Sequence, residues 1–185
     1  MIILIGISGV GKSVQGQLFT KKEGYYWVSI GNLIREKMSE EAKENVLQGK
    51  LLNDNQIIDL VENVFRESLP KNQQIVIDGF PRTIGQAKWL IRQIKNKEID
   101  LTGIFFLHAS ENIVTKRLLS RGREDDKPEI IKKRFQQFKL KTMPIIKLMK
   151  ANNIDIIDIN GDNDPNEVHN DILKELNKIE RRNAD

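Results

Sequence analysis

The chain has 185 residues, 39% hydrophobic and 30% charged, with a formal net charge of +4 and no cysteine. That length suits one α/β domain with a real core, and the lack of cysteine excludes disulfides and thiolate zinc sites. No apolar run approaches the ~20 residues of a spanning helix, and the opening five residues are too short for a signal peptide. The positive residues are scattered and aromatics make up only 6%. The expectation is cytoplasmic residence, with neither membrane nor nucleic acid as partner; binding a polyphosphate explains the basic excess as well.

In chain order, an apolar strand at 1–5 runs into Gly6-Ile7-Ser8-Gly9-Val10-Gly11-Lys12-Ser13, and a helix-compatible stretch follows at 11–22. The run has the form GxxxxGKS. Its glycines let the backbone curl so that several N–H groups point at one anion. Lys12 adds a mobile positive charge and Ser13 a hydroxyl for a metal ion. Gly9, Val10, Gly11, Lys12, Ser13 and Val14 are therefore the nucleotide-contacting candidates. A strand at 25–29 is followed by helices at 31–38, 40–48 and 54–69. A strand at 74–77 precedes a helix at 84–96, and a strand at 103–108 precedes helices at 111–120 and 127–150. The last strand falls at 154–159 and the last helix at 166–181. Short apolar runs alternating with amphipathic ones predict a parallel sheet with helices on its faces. There is no internal repeat and no linker. Three helix starts carry box-like capping signals: Asn53 with Gln56, Thr83 with Gln86, and Asp126 with Glu129. Pro128 fits a first turn, whereas Pro144, inside a long periodic stretch, predicts a kink near Leu140.

Two further segments carry chemistry. Ile75-Val76-Ile77-Asp78-Gly79-Phe80-Pro81-Arg82-Thr83 is an apolar run ending in Asp, the way a buried strand delivers a carboxylate to the edge of a sheet. Asp78 there can order the water shell of Mg²⁺, and Arg82 can fork onto a phosphate. A plain strand-ending turn is the rival reading, since Asp-Gly and Phe-Pro are turn dipeptides. Then come Arg117, Arg121, Arg123 and Arg134, with Asp125 and Asp126 among them. Clustered about one short connector in a chain with a phosphate loop, these arginines suggest charge neutralisation of a transferring phosphoryl group.

With those segments the chain resembles the adenylate kinases, of the nucleoside monophosphate kinase group, over essentially its full length. The matching residues are the loop at 6–13, Ser29-Ile30-Gly31-Asn32-Leu33-Ile34-Arg35, Gly49-Lys50-Leu51, Asp78 through Thr83 with Gln86, and Arg117 through Asp126 with Arg134. The resemblance implies a P-loop NTPase fold with a sheet of five parallel strands. It divides the single domain 1–185 into a core (1–29, 59–119 and 128–185), a helical monophosphate-binding insertion at 30–58 and a very short lid at 120–127. It implies phosphate contacts from Lys12, Arg82, Arg121, Arg123 and Arg134, and stacking of Arg117 on the donor adenine. The acceptor phosphate would go to Arg35 and Arg82, with Ile30 and Gly79 nearby, and Gln86 would read the acceptor base. Gln86 also sits where a capping-box glutamine belongs. Mg²⁺, held by Ser13 and Asp78 largely through water, and ATP as donor are the implied cofactor and substrate.

Four departures from the family pattern stand out. Ser13-Val14 replaces Gly-Thr after the loop lysine, and Ile30 replaces a threonine that would face the acceptor base. The connector Arg121-Gly122-Arg123 is shorter than even short lids, and no metal-binding cysteines are present. His108 and His169 lie outside every motif and are read as structural. The expected reaction is MgATP + AMP giving two ADP, by a monomer. A pyrimidine monophosphate kinase, a small-metabolite kinase and a non-catalytic nucleotide sensor remain as alternatives.

Overall fold

The strands are short and apolar on both sides because helices cover both faces of the sheet. A computed structural model describes residues 1–37, 39–48, 50–67 and 73–184. The expected helix ends at 38 and at 68–69, and Gly49, lie outside the described residues. The sheet comprises β1 (Ile2–Ile5), β2 (Tyr26–Ser29), β3 (Ile75–Asp78), β4 (Gly103–His108) and β5 (Ile156–Asn160), all parallel, in the order β2-β3-β1-β4-β5. Strand order reverses beside β1, so the crevice at its carboxyl end is where such a sheet receives a ligand. Register sets Asp78 opposite Leu4 on one side and Ser29 on the other. The expected five-stranded parallel sheet flanked by helices is the fold observed.

Alternation along β1 divides the core. Ile3 and Ile5 pack with Val28, Ile77, Ile104 and Phe106 on one face; Ile2 and Leu4 pack with Val76, Phe105 and Leu107 on the other. Burying each such side chain contributes about 1.5–3 kcal/mol. The second face is covered by α1 (Lys12–Glu23), α6 (Glu111–Arg121) and α9 (Pro165–Ala184), through Phe19, Val114, Leu118, Ile172 and Leu176. The first is covered by α4 (Asp54–Glu67), α5 (Ile84–Lys95) and α8 (Met143–Lys150). Two short helices, α2 (Ile30–Lys37) and α3 (Glu40–Leu47), precede α4, so three helices lie between β2 and β3.

The kink expected at Pro144 takes the form of a π-helical turn. Between α7 (Pro128–Gln137) and α8, residues Phe138–Thr142 form a wider turn centred on Leu140. Pro144 has no N–H for the Leu140 carbonyl, and the ladder widens instead of breaking. The side chain of Leu140 is 75% exposed there. None of the three expected starts forms the full reciprocal box. The Asn53 side chain accepts from Asn55 N–H, a local turn without the Gln56 reciprocal bond. Thr83 caps Gln86 N–H as expected, while the Gln86 side chain accepts from Arg82 N–H, one residue before the box position. Asp126 caps nothing: Lys127 takes the N-cap position, and the Asp126 carboxylate is drawn to arginines, whose charge-assisted bonds are stronger than a cap.

Candidate active site

The turn from β1 into α1 builds the loop. Gly9 has φ +88°, and a Cβ there would meet Leu118 at 2.6 Å, so only glycine suits both the turn and the packing of α6. Lys12 folds back along the loop and donates to the Gly6 and Ile7 carbonyls, each at 2.8 Å. It is only 7% exposed. Burial pulls its amine down to about 7; the Asp78 charge opposes that fall, and Arg82 and Arg121 deepen it. A neutral amine still fills both carbonyls. The third N–H that protonation adds has no acceptor among the described residues and suits an incoming anion.

Two cavities open from this loop. The larger, about 520 Å³, is walled by Gly9, Val10, Gly11, Ser13, Val14 and Asp78 on one side and by Arg117, Gly161, Asn163, Pro165 and Val168 on the other. The second is bounded by Ile34, Lys50, Leu51, Gly79, Arg134, Gln137 and Thr142. Lys12, Arg35, Arg82, Arg121 and Arg123 line both. Five cations thus stand on the common wall of two adjoining cavities. A polyanion on each side of that wall is the chemistry it suits.

Local bonds hold the cations. Arg82 Nε donates to the Gly79 carbonyl at 2.9 Å, and Thr142 Oγ1 donates to the Arg82 carbonyl at 3.0 Å. Burial, and to a lesser extent the Arg134 charge, lower the Arg82 guanidinium from its ordinary value, with Asp78 opposing. Arg121 grips Asp126 with two bonds, 2.8 and 2.6 Å, and Arg134 reaches both Asp126 and Asp125. Burial alone would push the Asp126 carboxyl up. The bonds and charge of Arg121, the Arg123 N–H and the Arg134 charge together hold it below the usual carboxylate range. Arg117 gives its guanidinium to the carbonyls of Gly161 (2.7 Å), Val10, Asp162 and Asn163, which fixes its plane along the larger cavity.

Asp78 ends β3 at the floor of the larger cavity, 3% exposed, with Ser13 on the same wall. Among the described residues no group of three or more His, Cys, Asp or Glu could cage a metal ion. One carboxylate and one hydroxyl fit Mg²⁺, which keeps most of its water and takes phosphate oxygens besides; they do not fit a protein-caged cation.

Most expected site residues therefore reach one of the two cavities: residues 9–14, Asp78 and Arg117 the larger, Gly79 and Arg134 the second, and Lys12, Arg35, Arg82, Arg121 and Arg123 both. Ile30 and Gln86 do not. Ile30 is 1% exposed in the core, because an apolar side chain at the start of α2 packs inward. Gln86, 2% exposed, spends its amide on Arg82 N–H (2.7 Å) and Asp54 (3.1 Å), next to Thr83 Oγ1 on the same Asp54 oxygen (2.6 Å). His169 is buried against Phe19 and Gln15, and His108 is exposed at the end of β4; neither lines either of these two cavities. The far wall at Gly161, Asn163, Pro165 and Val168 escapes the sequence reading. Its signal is a Gly-Asp-Asn-Asp-Pro turn just past the carboxyl end of β5.

The family model described as adenylate kinase matches residues 4–154. An adenylate kinase of Prochlorococcus marinus (strain NATL1A) is 32% identical over 181 residues, covering 95% of this chain and 97% of that protein. One from Leptospira biflexa is 33% identical over 185 residues, covering 95% and 98%. One from Corynebacterium aurimucosum is 34% identical over 150 residues, covering 78% and 82%.

Proposed function

The chain belongs to the adenylate kinase family, and on that premise we propose that it transfers the γ-phosphoryl group of MgATP to AMP, giving two ADP. The observation that carries the reading is the common wall of Lys12, Arg35, Arg82, Arg121 and Arg123 between two adjoining cavities. ATP occupies the larger cavity, with its phosphates on the loop at 6–13 and its base along Arg117. AMP occupies the second, in an insertion formed by 30–58. The lid is the connector at 120–127.

No side-chain base is needed, because the attacking atom is a phosphate oxygen of AMP that is already anionic near neutral pH. The obstacle is repulsion between two polyanions that must meet in line. Lys12 and the loop N–H groups hold the donor phosphates, Arg35 and Arg82 hold the acceptor phosphate, and Arg121, Arg123 and Arg134 stabilise charge spread over the equatorial oxygens. Asp78 and Ser13 would hold Mg²⁺, largely through its water, and the metal would supply charge neutralisation to the donor phosphates. Asp125 and Asp126 occupy the arginines in this state, and phosphate oxygens replace them as the lid closes.

Gln86 reads the acceptor base without leaving its structural bonds. An amide has two donors and two acceptor positions; Asp54 takes one donor and Arg82 N–H one acceptor position, leaving one of each for N1 and the N6 amine of adenine. Because Gln86 is only 2% exposed, this reading requires the packing over its amide to open as AMP enters while Asp54 stays on it. Ile30 in place of threonine favours a second reading, a pyrimidine monophosphate kinase. A coupled assay with AMP, CMP, UMP and GMP separates the two. AMP should be the best acceptor, and Gln86→Ala should reduce its lead by roughly tenfold to a hundredfold. A pyrimidine nucleotide as best acceptor overturns the base assignment, and no transfer to any of the four overturns the kinase reading.

A further inference from the structure

One part-buried polar contact at the site plays no part in the roles assigned above. The indole Nε1 of Trp27 donates to Asp78 Oδ2 at 3.0 Å, while the Ser29 hydroxyl donates to the other oxygen, Oδ1, at 3.1 Å. Trp27 and Ser29 are two apart on β2, so they leave the strand on one side, and Ser29 pairs in register with Asp78. The indole crosses to the carboxylate over α1 at Gly16. A Cβ at that position would lie 2.3 Å from Nε1 and 2.4 Å from Cδ1 of Trp27. The helix that opens the phosphate loop therefore lacks a side chain where the indole passes. Three elements, β2, β3 and α1, meet in this one contact.

A carboxylate at a strand end can turn about two side-chain bonds. One donor on each oxygen removes that freedom, and the remaining lone pairs are left for the cavity that Asp78 shares with Ser13. Indole N–H cannot accept a hydrogen bond, so it supports only an oxygen with a free lone pair. A phenyl ring would fill the same space with no hold on the carboxylate.

We propose that Trp27 is a positioning residue: through its Nε1–H it orients the Asp78 carboxylate toward the metal-bound nucleotide. The proposal rests on the phosphoryl-transfer reading above. Ser29 holds one oxygen, and Trp27 sets the plane in which the other faces the metal's water.

Calorimetric binding of ATP, with Mg²⁺ and with a chelator in its place, tests this in three proteins. Trp27→Phe keeps a ring and loses the donor. Trp27→His restores an N–H at the corresponding place of a five-membered ring, since imidazole Nε2 stands as many bonds from Cβ as indole Nε1. Trp27→Phe should bind chelated ATP within about twofold of the unsubstituted protein and need about tenfold more Mg²⁺ to reach half of the metal-dependent gain, as for other partners that orient a metal-binding group. Trp27→His should recover most of that loss. Equal weakening with and without metal, or no change in the Mg²⁺ requirement, overturns the proposal. Failure of all three proteins to bind ATP at all would instead overturn the kinase reading.

A second measurement leaves Trp27 in place. In Trp89→Phe, Trp27 is the one remaining tryptophan. Its emission should differ between ATP with Mg²⁺ and ATP with chelator, because its hydrogen-bond acceptor then faces a cation. Identical spectra overturn the proposal.

Discussion

Nucleotide binding should draw a proton onto Lys12. In the unliganded protein its amine sits at about 7, against 10.5 in an unfolded chain, with burial as the main cause. At pH 8.5 a group of that strength is only about 3% protonated. A polyphosphate against Nζ restores the charge, so each binding event at pH 8.5 should take up close to ~1 proton. Between pH 7 and the restored value, affinity should fall by about tenfold per pH unit. The same shift has a consequence for stability, with the sign opposite to that of a salt-bridged amine. Between about 7 and 10.5 the unfolded chain holds a proton that the folded one has released, so unliganded stability rises with pH across that window. The penalty is full below 7, where it amounts to about 5 kcal/mol if the whole shift is expressed. Calorimetry of ATP binding at pH 8.5, in two buffers of different ionisation enthalpy, measures the uptake directly. Lys12→Met should abolish the uptake, bind weakly, and unfold at higher denaturant than the unsubstituted protein below pH 7. No proton uptake, or the same uptake in Lys12→Met, would refute the reasoning.

Arg82→Lys should behave as a severe change. An ammonium cannot reproduce the two parallel donors of a guanidinium, and a loss of roughly 2–4 kcal/mol of transition-state stabilisation is expected in kcat/KM; near-normal turnover would return Arg82 to a turn-stabilising role. Asp126→Asn should destabilise the unliganded protein by roughly 1–3 kcal/mol at pH 7, since two charge-assisted bonds to Arg121 weaken together. The Asp126 carboxyl lies below its ordinary 3.8, so its contribution is present above that pH and disappears as pH falls through the folded value. Denaturant titrations at pH 7 and pH 3 should therefore show the gap between the two proteins closing in acid, and a gap of constant size would contradict the ion-pair account.

The parts of the site legible in the sequence are those in which chemistry is contiguous. Residues 6–13 name their own ligand, because loop glycines, lysine and hydroxyl must be neighbours to surround one phosphate. Asp78 is legible for a related reason: an apolar run that ends in a carboxylate has few structural uses. The fold follows from alternation of short apolar runs with amphipathic ones. What stays hidden depends on distance along the chain. Asp126 reads as a helix cap until Arg121 and Arg134 are seen to converge on it. Trp27 reads as one aromatic in a strand, since neither Gly16 nor Asp78 is near it in sequence. Gln86 reads as a capping residue or as a base reader, and only the partners Arg82 and Asp54 reveal how many of its amide positions are spent.

The wide turn at Phe138–Thr142 gives the rod from α7 to α8 a fixed length. The wider turn takes up one residue more than a regular α-helix would, so forcing the same residues into regular α-geometry would rotate everything beyond by about 100°. Ile145 and Met149, both fully buried, would swing off the sheet, and Thr142 would lose the Arg82 carbonyl. Descendants of this chain can exchange side chains along the segment freely at Leu140, where the surface is open. They cannot straighten it with all its residues kept without unseating the arginine that Thr142 steadies from behind.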